Sequence, residues 1–241
     1  MKKVVHTKTL TVFVFLTFIC SAIFVIYKIV ANTTDYVNDE YSRERSDYVL
    51  MLLQCVLGAI AMLLPGFIKR KVQLNIPTKM IFVYALFLYC GIYLGEVRSF
   101  YYIIPHWDSI LHAISSMALC TIGFSLIAFL NNSENVPVSL SPAFIALFAL
   151  CFAVTVGTVW EIYEFSADLI LHTNMQKYAL ENGTALIGQA ALIDTMKDIC
   201  LDVAGATIVS IIGYNLTKHR EGWLDELQMK QYTSETVEGS M

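Results

Sequence analysis

Six apolar runs of roughly 20 residues, the length a bilayer core requires, recur along this chain. They lie near 9–31, 48–68, 79–96, 108–130, 142–167 and 195–216. Inside lipid every backbone N–H and C=O must be satisfied within the protein, so runs of this length are expected as helices. The expected fold is an all-α, polytopic membrane helix bundle with about six transmembrane helices, a single transmembrane domain over 1–217, and a cytoplasmic tail over 218–241. Composition agrees. Only 15% of the residues are charged and 56% are hydrophobic, against about 25% charged in a soluble domain. The partner this implies is the lipid bilayer. A net charge of −4 gives no reason to expect nucleic acid.

The first run follows Lys2, Lys3 and Lys8, a basic start like that of a signal peptide. Its apolar part exceeds the roughly 7–15 residues of a signal core, so an uncleaved signal anchor is expected. Lys and Arg in the short loops set orientation. With the N-terminus inside, one side collects Lys2, Lys3, Lys8, Lys69, Arg70, Lys71, Lys79, Lys218, Arg220 and Lys230. The other holds Lys28, Arg43, Arg45, Arg98, Lys177 and Lys197. Both termini are therefore expected in the cytoplasm of a multi-pass cell-membrane protein. The loop Asn32–Asp47 carries Asp35, Asp39, Glu40 and Glu44, and Pro65, Pro77, Pro137 and Pro142 stand at run ends on the basic side. The polar tail from Glu221 is expected to fray. Cys20, Cys55, Cys90, Cys120, Cys151 and Cys200 fall in apolar runs without any C-x-x-C pair, and read as small buried hydrophobes.

The ionisable groups share one depth. At 1.5 Å per residue, Glu161 lies about 28 Å along a helix begun at Pro142, and Asp202 lies about 24 Å from Lys218. Glu96 stands about 25 Å from Lys79 by the same arithmetic. Asp108 opens the fourth run, and His112 sits one turn deeper. Spacing adds direction: Glu161, Glu164, Asp168 and His172 form one helical stripe, Asp194, Asp198 and Asp202 another, and Asp108 with His112 a third. Asp168 alone is expected to be solvated, and His172 is a minor candidate in the outer loop. Asp202 and His112 are deepest and most need partners, because an ion in the membrane costs several kcal/mol (about 3 on the lenient scale). Lys197 points off the Asp198 stripe by about 100°. The carboxylates outnumber the cations, so protons, a metal or a cationic ligand must complete the balance.

From Gly95 to Tyr214 the chain resembles a family of multi-pass bacterial membrane proteins, the YjdF-like family, and more distantly the VanZ-like proteins linked to glycopeptide-antibiotic tolerance. The resemblance rests on D-x-x-x-H at Asp108 and His112, E-x-x-E at Glu161 and Glu164, D-T-x-x-D at Asp194, Thr195 and Asp198, and G-A at Gly205 and Ala206. The chain departs from the family pattern at Ser109, Ser115 and Ser116, and keeps only Gly188 and Gln189 of a Gly-x-Gln-Gly run. The family implies membership more than chemistry.

Three readings stand at this point, and they leave open whether the chain is an enzyme. The first is a metal-assisted or acid/base site that processes or binds a cell-envelope or lipid-linked ligand. Carboxylates with an imidazole on facing helices suit a divalent metal ion. Glu161, Glu164, Asp108, His112, Asp194 and Asp198 are its candidate metal ligands, and Glu161, Glu164, His112 and Asp198 its candidate catalytic groups. No nucleophilic serine motif, phosphate-cradling glycine loop or H-E-x-x-H is present. The second is a proton- or ion-coupled transporter, which needs polar groups below His112 and Asp202. The third is a purely structural polar network, in which Asp108 and Asp194 cap helix starts. Trp107, Trp160, Tyr101 and Tyr102 are expected as an interfacial aromatic belt. Trp223, Leu224 and Leu227 suggest a short amphipathic piece.

Overall fold

The computed structural model describes residues 2–32, 35–37, 42–43, 45–131, 140–180, 183–220, 222–227 and 230–231. Pro137, Asp39, Glu40, Glu44 and the tail beyond 231, named above, lie outside the described residues. Helix α1 covers Lys2–Ala31, and α2 covers Arg45–Phe67 with a wider π turn over Ile68–Val72. Helix α3 covers Thr78–Leu88 and continues as π turns through Tyr89–Val97; the short α4 is Phe100–Ile103. Then come α5 (Trp107–Asn131), α6 (Pro142–Leu171), α7 (Ile193–His219, entered by a 3₁₀ turn over Gly188–Leu192) and the short α8 (Trp223–Leu227). Six of these segments are long and apolar enough to cross a membrane, matching the six runs. The protein is an all-α polytopic bundle; among the described residues its strands are two residues long: β1 (Asp35–Tyr36) pairs β2 (Ser42–Arg43), and β3 (Leu74–Asn75) pairs β4 (Lys230–Gln231).

Proline does not end the second helix. Pro65 lies inside α2, where its missing N–H frees the carbonyl four residues back. That carbonyl, Ala61 O, accepts instead from the Tyr84 hydroxyl of α3 at 2.8 Å. In a bilayer such re-satisfaction is what lets a proline stay in a spanning helix.

The six long helices form two three-helix units. In the first, α1 packs on α2 and α3 over Val14, Phe18, Ala59, Met62 and Ala85. Tyr48, Met51 and Cys55 of α2 pack against Val25 of α1. In the second, α5, α6 and α7 each contact the other two, around Cys120, Phe124, Ile145, Ala149, Ala153 and Ala206. Small residues dominate this core because helices in lipid gain from close van der Waals approach rather than from hydrophobic burial. The units meet where α3 and its π turns lie against α5.

Two expectations need correction. Helix α8 does not fray: Trp223, Leu224 and Leu227 pack on the second unit's core, with Trp223 edge-on to Phe124 at 5.4 Å. The Ser125 hydroxyl donates to Leu227 O. Aromatic and apolar contacts outweigh the polarity of the flanking residues there. The cysteines also divide: Cys55 and Cys120 are buried, Cys90 is half-buried, and Cys20, Cys151 and Cys200 are exposed on the outer faces of their helices. An apolar run crossing lipid has no need to turn a small thiol inward.

Candidate functional site

One face of α6 changes character along its length. Its buried residues run Ala146, Ala149, Ala153 and Gly157, then Glu161, Glu164 and Asp168. Helix α7 mirrors this, with Asp198 and Asp202 ahead of Gly205, Ala206, Ser210 and Gly213. On α5, His112 and Ser116 are followed by Cys120 and Phe124. Each helix thus buries uncharged residues at one end, small ones on α6 and α7, and ionisable groups at the other.

The imidazole of His112 lies at the centre. Its Nε2 is 3.7 Å from Glu161 Oε1 and 3.9 Å from Asp108 Oδ1, and its Nδ1 is 3.4 Å from Asp202 Oδ2. Ligand atoms of Asp108, His112 and Asp198 all lie within 4.8 Å of one another. Glu161, Asp198 and Asp202 are 4%, 1% and 2% exposed. Both carboxylate oxygens of Glu161 and the Oδ1 atoms of Asp198 and Asp202 have no hydrogen-bond partner among the described residues. Buried carboxylate oxygens without donors are costly and uncommon, so four around one imidazole call for a cationic or protonic partner.

Other named acids turn away from the imidazole. Glu164 Oε1 accepts from Trp160 Nε1 at 2.9 Å. Asp194 holds Lys197 Nζ at 2.9 Å, and that amine also stands 3.7 Å from Asp198. The flexible lysine stem thus overcomes the 100° offset of its Cα, and Lys197 is the cation nearest Asp198. Asp194 occupies the first turn of α7, whose N-cap, Leu192, offers no side-chain bond. His172 ends α6 in a left-handed conformation (φ 56°), exposed and apart from the site.

Asp168 corrects its expectation. It is 6% exposed, and it accepts from the Thr173 hydroxyl, the Met175 N–H and the Gln176 N–H at 2.7, 2.7 and 2.9 Å. It folds the connection after α6 back over the helix end, where backbone donors would otherwise be unpaired. Tyr101 also leaves the expected belt. Its ring fills the space beside Gly95, and burial holds its phenol well above the ordinary range, helped by Asp108, Glu96 and Glu164 nearby. Trp107 donates to Cys90 O at 3.3 Å; Trp160 remains partly exposed at 46%.

Below the imidazole, toward the basic end, four hydroxyls of α5 and α7 donate to backbone carbonyls. Ser116 donates to Ala113 O, Thr121 to Met117 O, Ser125 to Leu227 O and Ser210 to Ala146 O. None is ionisable.

Two residues outside the sequence-derived ligand set join the site. Asp202 was legible as the third member of an i, i+4, i+8 stripe. Gly157 had one signal: it stands one turn before Glu161 on the same face.

A family described as "Predicted membrane protein (DUF2238)" matches residues 12–219. An "Uncharacterized protein" of Thermotoga maritima is 28% identical over 147 residues, which cover 61% of this chain and 66% of that protein's length. No solved structure matches the chain.

Proposed function

The chain belongs to this membrane-protein family, and we propose that it holds a divalent cation between Asp108, His112, Glu161 and Asp198, in the half of the bundle away from the basic loops. The observation that carries this is the set of buried oxygens on Glu161 and Asp198, beside the imidazole, that have no hydrogen-bond partner among the described residues. Three carboxylates and one imidazole on facing helices form a donor set suited to Mn²⁺, Fe²⁺ or Zn²⁺ more than to Ca²⁺, which prefers oxygen alone. The excess of Lys and Arg on the opposite loops supports an outward-facing site and cytoplasmic termini. The resemblance to YjdF-like and, more distantly, VanZ-like proteins adds support, because its motifs contain all four residues.

A ligand reaching such a site comes from the outer leaflet or the cell envelope, so a lipid-linked or envelope molecule is the ligand class. The cation would supply Lewis-acid chemistry or an activated water. The chain's own residues do the holding. Glu164 is fixed by Trp160, and Lys197 stands beside Asp194 and Asp198. Transport fits less well, since the Ser116, Thr121 and Ser210 hydroxyls toward the basic end donate to backbone carbonyls rather than facing a path.

The test is metal analysis of detergent-purified protein after exposure to Mn²⁺ and Zn²⁺, wild type beside Glu161→Gln/Asp198→Asn. A stoichiometric ion lost in the variant supports the site. A wild type that retains no ion, with the variant at least as stable, overturns it.

A further inference from the structure

The two nitrogens of His112 face different partners on different helices. Nε2 looks toward Asp108 and Glu161, at 3.9 and 3.7 Å, whereas Nδ1 lies 3.4 Å from Asp202 Oδ2. A neutral imidazole has one N–H and one lone pair, so the neighbour that takes the proton decides which nitrogen can bind a cation. Asp202 is 2% exposed, and its Oδ1 has no partner among the described residues. The imidazole is the hydrogen-bond partner of its Oδ2, at 3.4 Å.

The seat of Asp202 is built on another helix. A Cβ at residue 157 would stand 2.2 Å from Asp202 Oδ2 and 2.9 Å from its Cγ. Neither distance is possible for a real side chain, so the carboxylate of α7 occupies space that only glycine on α6 leaves free. Glycine here serves close approach, not chain flexibility. Between them, α6 supplies the space, α7 the carboxylate and α5 the ring.

We infer that Asp202 is a positioning residue for His112: it accepts the Nδ1 proton and turns the Nε2 lone pair toward Asp108, Glu161 and Asp198, with Gly157 providing its seat. This rests on the cation site proposed above. A carboxylate behind a ligating histidine fixes the tautomer and ring orientation and makes the ligand more basic. It divides the acids of the bundle into those that would touch the cation and one that acts through the ring.

The test uses the full chain in detergent with ¹⁵N-labelled histidine, the His112 signals being identified by their loss in His112→Gln. Zn²⁺-loaded wild type is expected to carry its proton on Nδ1, with the Nε2 signal shifted by the metal. Asp202→Leu should lose the Nδ1–H preference and bind Zn²⁺ about 10- to 100-fold more weakly. Asp202→Asn, whose amide oxygen still accepts the proton, should keep the tautomer and recover part of the affinity. Gly157→Ala leaves every ionisable group in place yet should weaken Zn²⁺ in the same direction by displacing Asp202. Zn²⁺ bound by Asp202→Leu as tightly as by wild type, with the tautomer unchanged, overturns the positioning role and leaves the cation site standing. A wild type that binds no Zn²⁺ removes the cation site and the positioning role with it.

Discussion

The two three-helix units meet the same constraint and answer it differently. In the first unit the buried cation is Arg43, which donates to Glu96 O at 2.7 Å, to Val97 O at 3.1 Å and to the Ser99 hydroxyl. Those carbonyls end α3, where the helix has no donors of its own and the dipole favours positive charge. The Arg43 charge there is closed off by bonds. In the second unit the buried charge is negative and open: carboxylates from three helices surround one imidazole, and four of their oxygens lack donors. A closed arrangement fixes how helices meet. An open one retains capacity for a ligand, at the expense of stability.

The largest expected effect separates the units by chemistry. Glu161→Gln/Asp198→Asn should lower divalent-metal affinity by about 100-fold or more, since it removes two of the proposed ligands. Glu96→Gln, also at a buried carboxylate but in the first unit, should leave affinity within about twofold, being outside the ligand set. Equal losses from both, measured by Mn²⁺ or Zn²⁺ titration, would erase the contrast. The converse experiment is Arg43→Ala. It strips two helix-end carbonyls and a hydroxyl of their donor and should cost about 3 kcal/mol or more of stability, since each of the three bonds to a charged group is worth roughly 1.5–3. Thermal unfolding in detergent should report that loss while metal affinity holds.

A smaller effect compares how tightly each unit is packed. At Gly123 an added Cβ would stand 2.8 Å from Ala149 Cα, a backbone atom. At Gly58 it would meet Ile92 Cδ1 at 2.6 Å, the end of a flexible side chain, and the Phe18 ring at 3.0 Å. Alanine gains about 1 kcal/mol of helix propensity over glycine in either place. Overpacking costs roughly 1–3 kcal/mol where neighbours cannot yield. Gly123→Ala should therefore destabilise by about 1–2 kcal/mol net, and Gly58→Ala should lie near neutral. The reverse order would mean that the second unit's helices separate more easily than their small-residue faces suggest.

These contrasts mark what the sequence made legible. The six helices could be read from run length, because lipid leaves the backbone few alternatives. The shared depth of Asp108, His112, Glu161 and Asp198 followed from a fixed rise per residue, and His112 indeed meets Glu161 and Asp202. What periodicity could not supply was azimuth. A stripe says that residues share a face, not which neighbour that face meets, so Asp202 was counted with the acids and not behind the ring. The purpose of Gly157 was hidden because it lies in a carboxylate on another helix. The π turns and the carriage of α2 through Pro65 were hidden for a similar reason, the compensating hydroxyl being Tyr84 on α3. Asp168 was misjudged because its donors belong to a loop that folds back, a contact that local spacing does not encode.

The smallest effect tests whether the first unit's polar contacts are electrostatic at all. Asp35 accepts from Lys28 Nζ at 2.8 Å and from the Tyr48 hydroxyl at 2.7 Å. The Lys28 bond, then the Tyr48 bond, hold its carboxyl below the ordinary value of 3.8, against a smaller upward push from burial. A carboxyl depressed in the folded state stabilises above its unfolded value, and that contribution is lost as pH falls through the folded one. Asp35→Asn should therefore lower the unfolding temperature slightly at neutral pH, and the gap should close once pH drops below 3.8 toward the folded value. Because the pair is partly exposed, at 17% and 37%, solvent screening keeps the effect under about 1 kcal/mol, and added salt shrinks it further. A gap that persists unchanged at about pH 2 would mean the carboxyl acts through shape and neutral hydrogen bonds rather than charge. The first unit's electrostatic closure would then rest on Arg43 and its bonds to Glu96 O, Val97 O and the Ser99 hydroxyl.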